Sequence, residues 1–326
     1  MARLRYLEAL RKALRDEMIR DDNVIVLGED VEAGARGMTT GLREEFGAER
    51  VKDTPISEAG FVGFATGAAL VGKRPVVEFQ INTMIFQSFD QVVNQAAKFH
   101  LMSGGEFKVP VAYVFAASGA AFGNAAQHSD HPYPYLLHAG VKTVIPATAD
   151  DAYGLMLSAI RDDDPVALFS PALIQGRRAE VPDEPTAVPL GVGRVRRSGG
   201  DVTVVAAGST VPVALKVADK LATEGIELEI WDPRSLLPLD RGGIARSVTK
   251  TGRLAIIDDA NRTCGFAAEV AAFAATELFG DLRAPIQRVT RADVPISFSL
   301  PLEAAALPTA ETLEKAIRAT LEGSTP

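Results

Sequence analysis

The 326-residue chain carries 47% hydrophobic and 23% charged side chains and a net charge of −8. That balance excludes a disordered chain, which lacks the apolar residues to build a core, and a general nucleic-acid surface, which needs clustered Lys and Arg. A single cysteine, Cys264, excludes an internal disulfide and a zinc site of the Cys-x-x-Cys type, and suits a reducing, cytoplasmic setting.

In chain order, residues 1–10 mix charged and apolar side chains and predict an amphipathic helix. They lack the apolar centre of a signal peptide, so no targeting segment is expected. β-Branched runs at 24–27, 74–79, 109–114 and 141–145 alternate with helical segments. That alternation predicts a mostly parallel sheet wrapped by helices. Asp53-Thr54-Pro55 forms a turn, and Ser57 follows as the N-cap of a helix whose first turn holds Glu58. On that helix Gly60, Gly63 and Gly67 fall on one face, where a backbone can approach closely. Packing within the chain and packing against another subunit are both open. A second helix is expected to open at Ser88, with Gln91 completing a capping box, and to stop at Gly104-Gly105. The longest weakly polar run, 60–72, is far short of the roughly 20 residues that a membrane helix requires.

Pro182, Pro185, Pro189, Gly191, Gly193, Gly199 and Gly200 form a run of breakers that marks a boundary. The expected division is a first α/β domain over 1–185, a linker over 186–200 and a second α/β domain over 201–326. Strands are predicted there at 201–206, 226–231, 254–257 and 286–289.

Two residues stand out chemically. Glu58 reads either as an ordinary carboxylate favoured by a helix N-terminus or as a functional acid in a small, apolar setting. His128 lies in Gln127-His128-Ser129-Asp130-His131-Pro132-Tyr133-Pro134, too proline-rich for regular helix, where a histidine can exchange protons near neutral pH. No helical histidine pair or ligand spacing supports zinc. Gly191-Val-Gly193 lacks the third glycine of a dinucleotide fingerprint, Ser118 is not in a nucleophile elbow, and no Walker loop occurs.

Several segments together resemble the β chains of pyruvate and branched-chain 2-oxo acid dehydrogenases, members of the transketolase-like group. They include Gly28-Glu29-Asp30-Val31, Arg50-Val-Lys-Asp-Thr-Pro-Ile-Ser-Glu-Ala-Gly60, Asp90-Gln-Val-Val-Asn-Gln-Ala-Ala-Lys98, Gln127-His128-Ser129, Ala159-Ile-Arg-Asp-Asp-Asp-Pro165 and Gly265-Phe-Ala-Ala-Glu269. The likeness runs in order over nearly the whole chain. It implies a pyrimidine-binding α/β domain followed by a transketolase-like C-terminal domain. It also implies a thiamine diphosphate held between two chains. An α chain carries the diphosphate and magnesium through a Gly-Asp-Gly motif, which is missing here, and the pair assembles as α2β2.

By the same resemblance Glu58 bonds the aminopyrimidine ring nitrogen, with Ile56, Gln80 and Met84 beside the ring, and His128 stands over the reacting carbon. A turn built from Ala159, Ile160, Asp162 and Asp164, with Val111, corresponds to a potassium site in some relatives. The implied reaction decarboxylates a 2-oxo acid and passes the acyl group to the lipoyl group of an acyltransferase. A two-chain carboligase, an acetoin-cleaving enzyme and a catalytically silent assembly subunit remain alternatives. The chain departs from the pattern at Met84, where an aromatic ring is usual, and at Asp130, where Gln or Glu is usual. It also lacks the arginine expected after the strand ending near residue 119.

Overall fold

The structure is a computed structural model that describes residues 1–120 and 122–323; residues 324–326 of the expected second domain lie outside it. The chain forms two compact units. The first comprises Met1–Ser118 and Tyr135–Leu190, and the second Gly119–Pro134 and Gly191–Pro326.

The first unit opens with strand β1 (Ala2–Arg5) and helix α1 (Tyr6–Arg20). Tyr6, Ala9, Leu10, Ala13, Leu14 and Met18 recur at three- and four-residue spacing along α1, and all are fully buried. Burying each of the larger ones stabilises the fold by about 1.5 to 3 kcal/mol. The chain continues through β2 (Val24–Gly28), α2 (Leu42–Phe46), β3 (Val51–Asp53), α3 (Glu58–Leu70) and β4 (Arg74–Phe79). After a 3₁₀ turn (Asn82–Ser88) and a π-helical turn (Gln91–Ala96) come α4 (Ala97–Met102) and β5 (Ala112–Ser118). Following the short helix α5 (Tyr133–His138), the unit is completed by β6 (Lys142–Val144), α6 (Ala149–Arg161), β7 (Val166–Pro171) and β8 (Arg178–Val181).

Strands β6, β7, β5, β4, β2 and β3 lie side by side in that order, and all the pairings are parallel. Register places Phe79, Phe115 and Phe169 opposite one another on β4, β5 and β7. Their rings stack at 5.0 and 4.3 Å between centroids, which locks the three strands together. β1 and β8 pair antiparallel as a separate ribbon.

In the second unit β9 (Arg194–Arg197), β10 (Val202–Ala206), α7 (Thr210–Ala222), β11 (Leu228–Asp232), β12 (Ser235–Leu237), α8 (Arg241–Thr251), β13 (Leu254–Asn261), α9 (Phe266–Glu277), β14 (Gln287–Arg291), α10 (Leu300–Ala306) and α11 (Ala310–Glu322) follow. Five strands form a sheet in the order β14-β13-β10-β11-β9, parallel except for β9. Both units thus have the mostly parallel α/β architecture that the alternating runs imply.

Four local expectations change. Residues 2–5, read as part of a helix over 1–10, form strand β1, and the helix begins at Tyr6. The stretch 186–200, read as linker, contains β9, an edge strand, the one sheet position that tolerates flanking breakers. Ser88 caps no helix: it is fully buried, and its hydroxyl donates to the carbonyl of Ile85 inside the 3₁₀ turn. The strand expected at 109–114 begins at Ala112, because Pro110 has no amide hydrogen to give a ladder. Gly104 and Gly105 do end α4, and the Gly105 amide closes on the carbonyl of His100 at 2.8 Å.

Candidate active site

In a parallel sheet with helices on its faces, ligands bind beyond the carboxyl ends of the strands. Three of the strands in the first unit deliver polar residues there. β2 ends at Gly28 and is followed by Glu29 and Asp30; β4 ends at Phe79 and is followed by Gln80; β3 ends at Asp53 and leads through Ser57 to Glu58. β2 lies between the other two, so these residues converge.

Gly28 is required by this geometry. Its φ is +157°, and a Cβ there would lie 2.4 Å from the carbonyl oxygen of Glu78 on the neighbouring strand. The Gln80 amide then donates to the Glu29 carbonyl at 3.0 Å and to Asp30 Oδ2 at 2.9 Å, tying the two strand ends together.

Glu58 is the first residue of α3, as its position after Ser57 predicts, although the Ser57 side chain makes no capping bond. It is only 9% exposed, and among the described residues no side chain hydrogen-bonds its carboxylate. Glu29 sits close by. Burial, and then the charges of Glu58 and Asp30, raise the Glu29 pKa above the ordinary carboxylate value. Glu29 Oε1 is buried and also unpartnered. Two neighbouring carboxyls with open hydrogen-bonding positions suit a heteroaromatic ring whose nitrogen exchanges hydrogen bonds and a proton. Glu29 and Asp30 are site residues that the sequence reading quotes only as part of a motif. Their signal was an acidic pair directly after a β-branched run.

The other expected residues fall in several places. Met84 is partly buried in the 3₁₀ turn, and Ile56 is 83% exposed on the approach to Glu58. Beneath the strand end lies Glu78, 2% exposed, whose pKa burial raises to about 7 against the opposing pull of Thr39 and Arg36. A carboxyl raised in this way favours the native state at low pH, and that advantage is lost as pH rises from about 4.5 through 7. Glu78→Gln is therefore expected to gain melting temperature relative to the parent as pH goes from 5 to 8. A pH-independent difference in thermal scans would show that Glu78 is not held protonated.

The turn read as a potassium site ends α6. Arg74 donates to the carbonyls of Ile160 and Asp162, both at 3.0 Å, and Lys142 bridges the carboxylates of Asp162 and Asp164 at 2.8 and 2.9 Å. The Val111 carbonyl accepts from the Val166 amide at 3.0 Å. Ala159 is buried within the last turns of α6. The chain's own cations answer the charge of this turn, leaving an added ion the second lone pairs of the carbonyls.

His128 belongs to the second unit, at the end of a 3₁₀ turn (Ala126–His128), with its side chain exposed. Phe122 and Ala125, just before it, have φ of +65° and +64°. Such backbone costs on the order of 1–3 kcal/mol per residue and persists only where surrounding contacts enforce it. Those contacts are present. Glu303 accepts from the Gly123 amide at 3.0 Å, and the Tyr133 hydroxyl donates to Asp258. His131 Nε2 is 3.1 Å from Asp259, which also accepts from the Ser209 hydroxyl. Burial alone favours the protonated forms of both aspartates. For Asp258 it prevails, aided by the charge of Asp259; for Asp259 the charge of His131, the Ser209 hydroxyl and Arg291 prevail and hold its pKa below the usual range.

Comparison with known proteins agrees with this layout. Residues 2–173 match the family model described as the transketolase pyrimidine-binding domain, and residues 191–313 match the transketolase C-terminal domain. The chain is 44% identical to the β subunit of the acetoin:2,6-dichlorophenolindophenol oxidoreductase of Bacillus subtilis, over 97% of this chain and 95% of that one. It is 43% identical to the pyruvate dehydrogenase E1 β subunit of Rickettsia felis, over 95% and 96%. A solved split-gene transketolase, described as an inactive β4 tetramer, superposes with a TM-score of 0.81 at 24% identity. It covers 99% of this chain and 100% of that one, and shares the fold. Glu58 and its neighbours stand in the pyrimidine-binding region of that family, and the chain belongs to the transketolase-like β subunits typified by those of pyruvate dehydrogenase E1.

Proposed function

We propose that the chain is the β subunit of a thiamine diphosphate-dependent 2-oxo acid dehydrogenase. In this reading it works with an α chain that holds the diphosphate and magnesium, releases carbon dioxide from a 2-oxo acid and passes the acyl group to lipoamide. One observation carries the proposal: an almost buried carboxylate, Glu58, with no hydrogen-bonding side chain among the described residues, opens α3 beside the strand ends of a pyrimidine-binding domain.

The residues present fit the cofactor's ring. When bound, the cofactor would supply the electron sink for the bonding pair that stays behind as carbon dioxide departs. Glu58 would hold the ring nitrogen by a hydrogen bond and fix its tautomer, with Glu29, whose pKa burial raises, beside it. Gln80 keeps Glu29 and Asp30 in place. Met84 and Ile56 offer apolar contact, softer than an aromatic ring. His128, on its exposed turn, would assist transfer of the acyl group.

The α2β2 assembly belongs to the same proposal. Gly60 and Gly67 have exposed positions on α3, Phe64 beside them is 57% exposed, and among the described residues nothing outside the adjoining helix backbone lies within 4 Å of a Cβ at Gly67. This face is left for an α chain to cover.

Co-expression with an α chain carrying the diphosphate motif is the test. The pair is expected to bind thiamine diphosphate, release carbon dioxide from at least one of a panel of 2-oxo acids and acylate a lipoyl domain. Tight cofactor binding by this chain alone, or none by the pair, contradicts the proposal. Carbon dioxide release without lipoyl acylation points to a carboligase, and cleavage of acetoin in place of a 2-oxo acid points to an acetoin dehydrogenase.

A further inference from the structure

Arg291 ends β14 and is 3% exposed, so its guanidinium has been taken almost wholly out of water. Its Nε donates to Asn261 Oδ1 at 2.7 Å, and Nη2 donates to that oxygen as well. Nη2 also donates to Asp130 Oδ1 at 2.6 Å, and Nη1 reaches the carbonyl of Ser129 at 3.5 Å. One planar fork therefore joins the ends of β13 and β14 to the two residues that directly follow His128. Ser129 is fully buried, and Asp130 also accepts from the His131 amide at 2.9 Å. The same Arg291 and Asp130 line a cleft of about 200 Å³ together with Ala126, Asn261 and Ile296. Ala126 and Asp130 bracket His128 in sequence, so the cleft opens alongside the turn that carries it.

An ion pair between a buried arginine and a partly exposed aspartate adds little net stability, because desolvation of the arginine cancels most of the attraction. Its consequence is geometric: a guanidinium fork fixes direction in a way that the point charge of a lysine does not. Resting on the reading of His128 given above, we propose that Arg291 and Asp130 are a positioning pair that sets the place of the His128 ring from beneath its loop. Neither touches the reacting atoms; both act through His128. Asp130 is in this view the acid that answers Arg291.

The test is a double-mutant cycle in the reconstituted α/β complex, with rates of lipoyl acylation as readout. His128→Gln alone is expected to lower kcat about 100-fold. Arg291→Gln in the parent is expected to lower kcat roughly 10-fold, with KM for the 2-oxo acid and cofactor affinity within about twofold. In the His128→Gln background the same change is expected to move kcat less than about twofold, because the residue it acts through is gone. Arg291→Lys is expected to restore part of the rate. Equal losses in both backgrounds, a loss confined to KM or cofactor affinity, or an unchanged rate in folded Arg291→Gln each overturn the proposal. A parental rate for His128→Gln instead removes the His128 reading itself. Should Arg291→Gln not assemble, Asp130→Asn carries the cycle, since it keeps the shape of a partly exposed side chain and removes only its charge.

Discussion

Glu58→Gln in the reconstituted complex is expected to lower carbon dioxide release by about 10²- to 10⁴-fold while the protein keeps its fold. That range is the usual contribution of a positioned proton-transfer group. Glutamine preserves the shape of the side chain and one acceptor oxygen, but it cannot hold the charge that a protonated ring nitrogen requires. The structural cost is small. Losing a negative charge at the start of α3 costs about 0.3–1 kcal/mol through the helix dipole. Relief of repulsion with Glu29, whose pKa Glu58 helps to raise, offsets part of it. Melting temperature and carbon dioxide release should therefore separate: the first nearly unchanged, the second collapsed. Parallel loss of both would mean that Glu58 holds the fold, and an unchanged rate would remove it from the chemistry.

Gly28→Ala is expected to destabilise the first unit by about 3 kcal/mol, the upper part of the usual range for forcing extra volume into a packed region. The new Cβ would sit 2.4 Å from a backbone oxygen on β4, which cannot rotate away, and 3.1 Å from Val31. β2 and β4 must part at the position where Glu29 and Gln80 meet. Activity is thus expected to fall further than folded protein does, and melting temperature to drop by roughly 6–12 °C. A variant with parental melting temperature and rate would show that the strand ends shift freely, against the rigid frame argued for the site.

What the sequence made legible follows from range. The Asp53-Thr54-Pro55 turn, Ser57 and Glu58 lie within six residues, so a local pattern placed the start of α3 correctly. Residues 74–79 were legible because Pro75, Val76, Val77 and Phe79 make the largely apolar run of a buried parallel strand, although Glu78 interrupts it. Val109 and Val111 misled because both are buried ahead of the strand: hydrophobicity reports burial, and Pro110 between them has no amide hydrogen to extend the ladder. Strand β9 was hidden for a related reason, since edge strands accept the glycines and prolines that normally announce a linker. The contacts of His128's loop were beyond reach in kind. Arg291 lies more than 160 positions from Asp130, and nothing near either one signals the other. Gln80 was expected against the cofactor, but its hydrogen bonds to Glu29 and Asp30 depend on which strands are neighbours.

The segment Gly119–Pro134 is flanked on both sides by residues of the first unit, yet Arg291, Asp258, Asp259 and Glu303 of the second hold it. Anyone building hybrids between related β subunits should treat it as cargo of the C-terminal half. A crossover placed only at residue 190 would hand the histidine turn to foreign anchors, whereas one that moves 119–134 along with 191–323 transplants it with its own moorings.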